Sequence, residues 1–200
     1  MRSSTASGPP AVVVITGPSG AGKGTLIRAL VDQVLELEAA VSATTRARRQ
    51  REHDGREYYF LTGDEFERRV AAGDFLEHVT YVSGHRYGTL RAELNRIAEE
   101  GRVPLLELET EGALRVRREV HGALTIFIDA PVEELERRLR DRATESAGEI
   151  SERVELARRQ RRQAGEFDHV VVNDDLDRAV DAVAGIVRGA LATAGSISRT

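Results

Sequence analysis

The chain contains no cysteine and no tryptophan, and of its 29 basic residues only Lys23 is a lysine. The lack of cysteine excludes a disulfide framework and any thiolate metal site. No apolar run approaches the roughly 18 residues that a membrane-spanning helix requires. The opening "MRSSTASGPP" has no apolar stretch of the kind a secretory leader carries. A formal charge of -4 gives no general attraction to nucleic acid or acidic membranes. These absences lead to the expectation of a cytoplasmic protein that works on neither surface. What is present suits one globular domain: 200 residues, 40% apolar and 31% charged, enough to bury a substantial core.

The single lysine falls inside "GPSGAGKGT", residues 17–25. A strand-like run, "AVVVIT" (11–16), β-branched from Val12 onward, precedes it, and a helix is expected from about 23 to 35. Strand, glycine loop and helix together form the context in which backbone N–H groups cradle a phosphate. Lysine is the suitable cation there, because a compact ammonium reaches between phosphates where a guanidinium is a broad planar fork. The competing reading is a ligand-free glycine turn with a lysine placed by chance. The nucleotide reading assigns Gly17, Pro18, Ser19, Gly20, Ala21, Gly22, Lys23, Gly24 and Thr25 to ATP.

The loop departs from its pattern at one place. A Ser or Thr is expected directly after the lysine to hold Mg²⁺, but Gly24 stands there and Thr25 comes one position late. Thr25 is one candidate for the metal. The others are Glu107 and Glu109 at the end of "LLELE", acting directly or through water, because parallel sheets place ligands at the carboxyl ends of their strands.

Further buried strands are predicted at 103–109, 123–130 and 169–173. Helices with one apolar face are predicted at 89–100, 132–142 and 175–191. Alternation of this kind predicts an α/β fold with a parallel sheet covered by helices on both faces. Residues 41–88 break the rhythm with short β-like pieces, the tyrosines and a helix opened by the capping pattern "TGDE" (62–65). They read as an insertion into a single domain spanning 11–191, whose core is 11–40 and 89–191. Residues 1–10 and 192–200 read as loose tails.

Within the insertion, "TTRARRQR" places four arginines between 46 and 51. That density fits a clamp for an acceptor phosphate, and it equally fits an exposed basic loop or an RNA-binding patch. Taken together, "SATTRARRQREHDGREYYF" (42–60), "FLEH" (75–78), "GHRYGT" (84–89), "LLELETEGA" (105–113), "RRLRDRAT" (137–144) and "FDHVVVNDDL" (167–176) resemble, in order, the motifs of guanylate kinases. The resemblance covers roughly residues 12–188. It implies a P-loop NTPase-type parallel sheet, an inserted mixed β subdomain for the acceptor and a helical lid at about 141–153. It further implies ATP and GMP as substrates, with Mg²⁺ as cofactor.

By this resemblance Arg46 and Arg49, with the hydroxyls of Tyr58 and Tyr87, hold the GMP phosphate. Glu77 accepts from guanine, with Ser42, Thr89 and Glu109 also on the GMP side. Lys23, Arg138, Arg142 and Arg153 neutralise charge during transfer, Asn173 meets the adenine, and Thr25 or Glu107 serves the metal. The sequence departs from the family pattern in several places. Arg48 replaces a proline, Arg51 a glycine and Ala143 a lid glycine. Both acids of the L-D-I-D motif are glutamates, and the segment between Glu77 and Gly84 is one residue longer. A specialised paralogue, a ribose 1,5-bisphosphokinase and a guanylate-kinase-like phosphopeptide module are the competing readings.

Overall fold

The unbroken apolar run at the start of the chain forms strand β1 (Val12–Thr16), and every residue in it is buried. In the computed structural model, which describes residues 10–81, 84–141 and 147–195, the following elements succeed it: α1 (Lys23–Gln33), β2 (Leu37–Ala39), β3 (Ala43–Thr44), β4 (Tyr59–Phe60), α2 (Gly63–Ala72), β5 (Phe75–Thr80), β6 (Arg86–Leu90), α3 (Arg91–Glu99), β7 (Val103–Glu107), α4 (Thr110–Glu119), β8 (Ala123–Asp129), α5 (Val132–Asp141), α6 (Ala147–Arg162), β9 (His169–Val172) and α7 (Leu176–Gly195).

Five strands form a parallel sheet in the order β2-β7-β1-β8-β9. Side chains alternate across a strand. Val13 and Ile15 therefore enter one core with Leu26 and Leu30 of α1 and Val180, Val183 and Val187 of α7. Val12 and Val14 enter another with Leu106, Leu114, Val116 and Phe127. With both faces covered, β1 is apolar up to its last residue, the buried Thr16.

The insertion folds as a second sheet, ordered β4-β3-β6-β5, with β3 parallel to β4 and antiparallel to β6. Its core is small, built on Ala43, Phe66, Phe75 and Leu90, with the Phe66 and Phe75 rings stacked at 4.4 Å. Thr62 caps α2 as expected, its hydroxyl accepting from the Glu65 amide at 3.2 Å.

One buried carboxylate fastens the insertion to the rest. Glu93 follows the return strand β6 and is 3% exposed. It accepts from the Val41 amide (3.0 Å) on the outgoing connection, from the Tyr59 hydroxyl (2.9 Å) inside the insertion, and from Arg96. Burial pushes its carboxyl up, but Arg96, the Val41 amide and Tyr59 outweigh that and hold it below the usual range.

Some expected boundaries shift. The insertion's last strand runs to Leu90, two residues beyond 88. Helix α1 stops at Gln33, where Val34 turns extended. The expected tail at 192–200 is helical as far as Gly195: Leu191 packs against the core, and the Thr193 hydroxyl donates to the Gly189 carbonyl one turn back. Of the expected lid, 142–146 lie outside the described residues, and 147–153 open α6.

Candidate active site

The chain leaves β1 through Gly17, whose φ is 141°. A Cβ at this position would lie 2.0 Å from the Ile128 carbonyl oxygen of β8. Only glycine lets the loop turn this close to the sheet. Helix α1 then opens from Gly22, a left-handed residue at φ 83°, with no side-chain cap and no acid in its first turn. Its first N–H groups and the positive end of its dipole are left for an anion.

Lys23 Nζ donates to the carbonyls of Gly17 (2.8 Å) and Pro18 (3.1 Å), so the cation rests on its own loop. Two side chains support the loop from behind. Asn173, 2% exposed, donates Nδ2 to the Ala21 carbonyl at 2.7 Å. Arg138 donates to the Gly20 carbonyl at 3.3 Å and to Glu134 at 2.8 Å. Arg137 and Arg138 hold the Glu134 carboxyl down at about 2. Arg142 lies outside the described residues, and Arg153 falls in the first half of α6.

Gly24 faces Glu107. A Cβ on Gly24 would lie 3.7 Å from Glu107 Oε2, in ordinary contact. Thr25, one residue and about 100° further round the helix, is exposed, and its hydroxyl accepts from Arg28 at 3.2 Å. The late hydroxyl is therefore engaged on another face of α1. Gly24 thus puts no side chain between the helix start and the Glu107 carboxylate. Mg²⁺ bound with nucleotide phosphates commonly keeps several waters and takes one or two carboxylates, a requirement that Glu107 fits.

A cavity of about 710 Å³ runs from this loop to the second sheet. Lys23, Ser42, Tyr58, Glu77, Tyr87, Glu107 and Glu109 all line it. Glu77 on β5 is 5% exposed. One of its oxygens accepts from the Thr89 hydroxyl at 2.9 Å. Beside the other, a Cβ on Gly112 would come within 3.2 Å. Burial pushes the Glu77 carboxyl up, opposed by Thr89 and by the charge of Arg115. A desolvated carboxylate on a cavity wall has acceptor capacity to spare and favours donors in whatever enters.

At the other end, Tyr58 and Tyr87 stand edge to face at 5.8 Å. The Arg46 guanidinium lies 5.4 Å from the Tyr58 ring centroid. Glu52 organises this region: one oxygen accepts from Arg46 Nη2 at 2.7 Å, the other from the Arg49 amide at 2.8 Å. Hydrogen bonding to Glu52 raises the Arg46 pKa further. Arg49 is exposed. Of the expected acceptor residues, Ser42, Tyr58, Glu77, Tyr87 and Glu109 line the cavity; Thr89 and Arg46 stand behind it, on Glu77 and beside Tyr58, and Arg49 joins through its backbone while its side chain is exposed.

Sequence reasoning passed over three residues here. Glu52 belongs to a quoted motif but received no role. Tyr81 and Gln160 both reach Glu109, and Tyr81 lies in the lengthened segment before Gly84, a departure that marks it.

Comparison with known proteins agrees with this geometry. Residues 10–190 match the family model described as guanylate kinase. The guanylate kinase of Rubrobacter xylanophilus is 47% identical over 178 residues, covering 88% of this chain and 93% of that protein. The one from Synechococcus elongatus is 45% identical over 173 residues, covering 86% and 94%. The crystal structure of guanylate kinase from Anaplasma phagocytophilum superposes with a TM-score of 0.71 at 30% identity, covering 91% of this chain and 85% of that one. Two sheets joined by one phosphate-to-carboxylate cavity, and identities above 40% along nearly the whole length, lead to the same place: the chain belongs to the guanylate kinase family.

Proposed function

We propose that this chain transfers the γ-phosphoryl group of ATP to the phosphate of GMP, yielding ADP and GDP. The observation that carries the reading is the cavity that joins the Lys23 loop to the buried Glu77–Thr89 pair. Family membership supports it. Phosphoryl transfer asks a protein for alignment and charge neutralisation more than for covalent chemistry. The loop amides and Lys23 hold the β- and γ-phosphates. Arg138, already at the loop, follows the transferring group, with Arg142 and Arg153 contributed from the lid. Arg46, Arg49, Tyr58 and Tyr87 fix the acceptor phosphate, while Ser42, Glu77, Thr89 and Glu109 read guanine. Asn173 steadies the loop beneath ATP.

Bound Mg²⁺ supplies further neutralisation between the phosphates. Glu107, which faces Gly24, would be the residue to hold it, and Thr25, turned toward Arg28, would contribute less. No helix among the described residues is long and apolar enough to cross a membrane, in keeping with soluble nucleotide substrates in the cytoplasm. A ribose bisphosphate has no base to satisfy Glu77, which disfavours that alternative. The test is an ADP-release assay with Mg·ATP and, in turn, GMP, AMP and ribose 1,5-bisphosphate. Turnover with GMP alone is expected, and comparable turnover with either other acceptor overturns the reading.

A further inference from the structure

Glu109 sits just past β7, and each of its carboxylate oxygens is held by a donor from a different part of the molecule. Tyr81, in the turn after β5, donates its hydroxyl to Oε1 at 3.1 Å. Gln160, on α6, donates Nε2 to Oε2 at 3.2 Å. Gln160 is buried, and Tyr81, 40% exposed, is braced by another ring. The Tyr81 ring stands edge-on to Tyr87 at 5.0 Å and 82°, and Tyr87 in turn stands edge-on to Tyr58. Gln160 is 8% exposed. Burial and the neighbouring Glu109 charge raise the Tyr81 phenol above its ordinary range, so it remains a donor at any physiological pH.

A carboxylate offers about four acceptor directions. Tyr81 and Gln160 occupy one each, which leaves capacity toward the cavity that Glu109 and Tyr81 both line. A glutamate has one more torsion to fix than an aspartate, and two donors from opposite sides fix it. The two departures from the family pattern noted in the sequence, the longer acid at 109 and the longer segment before Gly84, thus meet in a single hydrogen bond.

We propose that Tyr81 and Gln160 are positioning residues that aim the Glu109 carboxylate at the exocyclic 2-amino group of guanine. This rests on the reading of Glu109 as a guanine contact. Tyr81 acts through Glu109 and touches no reacting atom. Its loss therefore weakens the base contact and leaves the chemical step alone. Because Gln160 belongs to α6, the same carboxylate also ties the acceptor side to the helix whose first turns are the end of the expected lid.

The test compares GMP with inosine monophosphate, which lacks the 2-amino group, at saturating Mg·ATP. Tyr81→Phe keeps the ring and removes only the hydroxyl. It is expected to raise KM for GMP roughly three- to tenfold, less than the loss of a direct hydrogen bond to a charged group, because the hydroxyl acts through Glu109. KM for inosine monophosphate, KM for ATP and kcat should stay within twofold. Gln160→Leu should act in the same direction. In a Glu109→Ala background, Tyr81→Phe should add nothing. An unchanged KM for GMP, an equal rise for both acceptors, or a lower KM for GMP each overturns the positioning role. If Glu109→Ala leaves the GMP preference intact, the guanine contact and the positioning role fall together. If Glu109→Ala erases the preference while Tyr81→Phe does not touch it, only the positioning role is lost.

Discussion

The two halves of the cavity are built in opposite ways. At the loop end, the polar groups on offer are mostly backbone, turned by glycines against a sheet with a core on each face. At the acceptor end they are side chains standing on short strands, above a small core around Phe66 and Phe75. The difference follows the ligands. Phosphate is the same in every nucleotide and can be read by N–H groups that any sequence supplies, provided glycine permits the turn. A base must be told from other bases, and that requires chosen side chains held by chosen neighbours, as Thr89 holds Glu77 and Glu52 holds Arg46.

The comparison predicts which property each end controls. The largest effect belongs to Glu77. A site built around a required hydrogen bond rejects an analogue that lacks it by about 10⁴ to 10⁵, and AMP lacks the donors that guanine offers. Glu77→Gln is expected to cut the GMP-over-AMP ratio of kcat/KM by at least roughly 10³, mainly through loss of GMP turnover. The same change should leave the protein at least as stable at neutral pH. A carboxyl raised by burial contributes stability that is full below its unfolded pKa and is lost as pH rises through its folded one. Removing it removes that loss. A preserved ratio would break the division between the two ends.

Next comes Lys23→Ala, expected to lower kcat by roughly 10² to 10³, as for other single stabilisers of developing charge, with little change in melting temperature. Equal damage to stability would mean that the lysine's bonds to Gly17 and Pro18 serve the fold. Smaller again is Arg46→Ala, expected to raise KM for GMP roughly 10- to 100-fold through lost charged hydrogen bonds, with KM for ATP unchanged. A parallel rise for both nucleotides would erase the distinction between the ends.

The smallest effect concerns the joint between the halves. Glu93→Gln is expected to cost about 1–2 kcal/mol at pH 7, less than a fully buried pair because Arg96 is partly exposed. The sign with pH is fixed. The Glu93 carboxyl lies below its ordinary value in the folded protein, so its contribution is full above about pH 4.3 and fades as pH falls through the lower folded value. Urea unfolding at pH 7 and pH 4 should show the gap between the variant and the unaltered protein narrowing in acid. A constant gap would make Glu93 a packing residue only.

How much of this was legible in the sequence also divides by region. The donor end announces itself locally: a β-branched run, a glycine loop and a lone lysine are neighbours in the chain. The parallel strands were visible for the same reason, except β2, whose three residues in "LELEAAV" are too few to show a period. The acceptor end depends on contacts far apart in sequence. Glu77 looks like a surface residue until Thr89 and α4 cover it. Glu93 carried a readable signal, because it falls on the stripe of Leu90, Leu94 and Ile97 where a charge is out of place. Its partners Val41 and Tyr59 do not share its segment. The Tyr81–Glu109–Gln160 set spans three elements, and no local pattern could join them.

The scarcity of lysine gives the loop a use as a probe of itself. Lys23 is the only side-chain amine in the protein, and it is anchored on two carbonyls of the phosphate loop. Amine-selective acylation or reductive methylation therefore has one side-chain target. Its extent, read on the peptide that carries Lys23 so that the α-amino group is counted apart, reports whether that loop is filled, and nucleotide added beforehand acts as a footprint on a single residue.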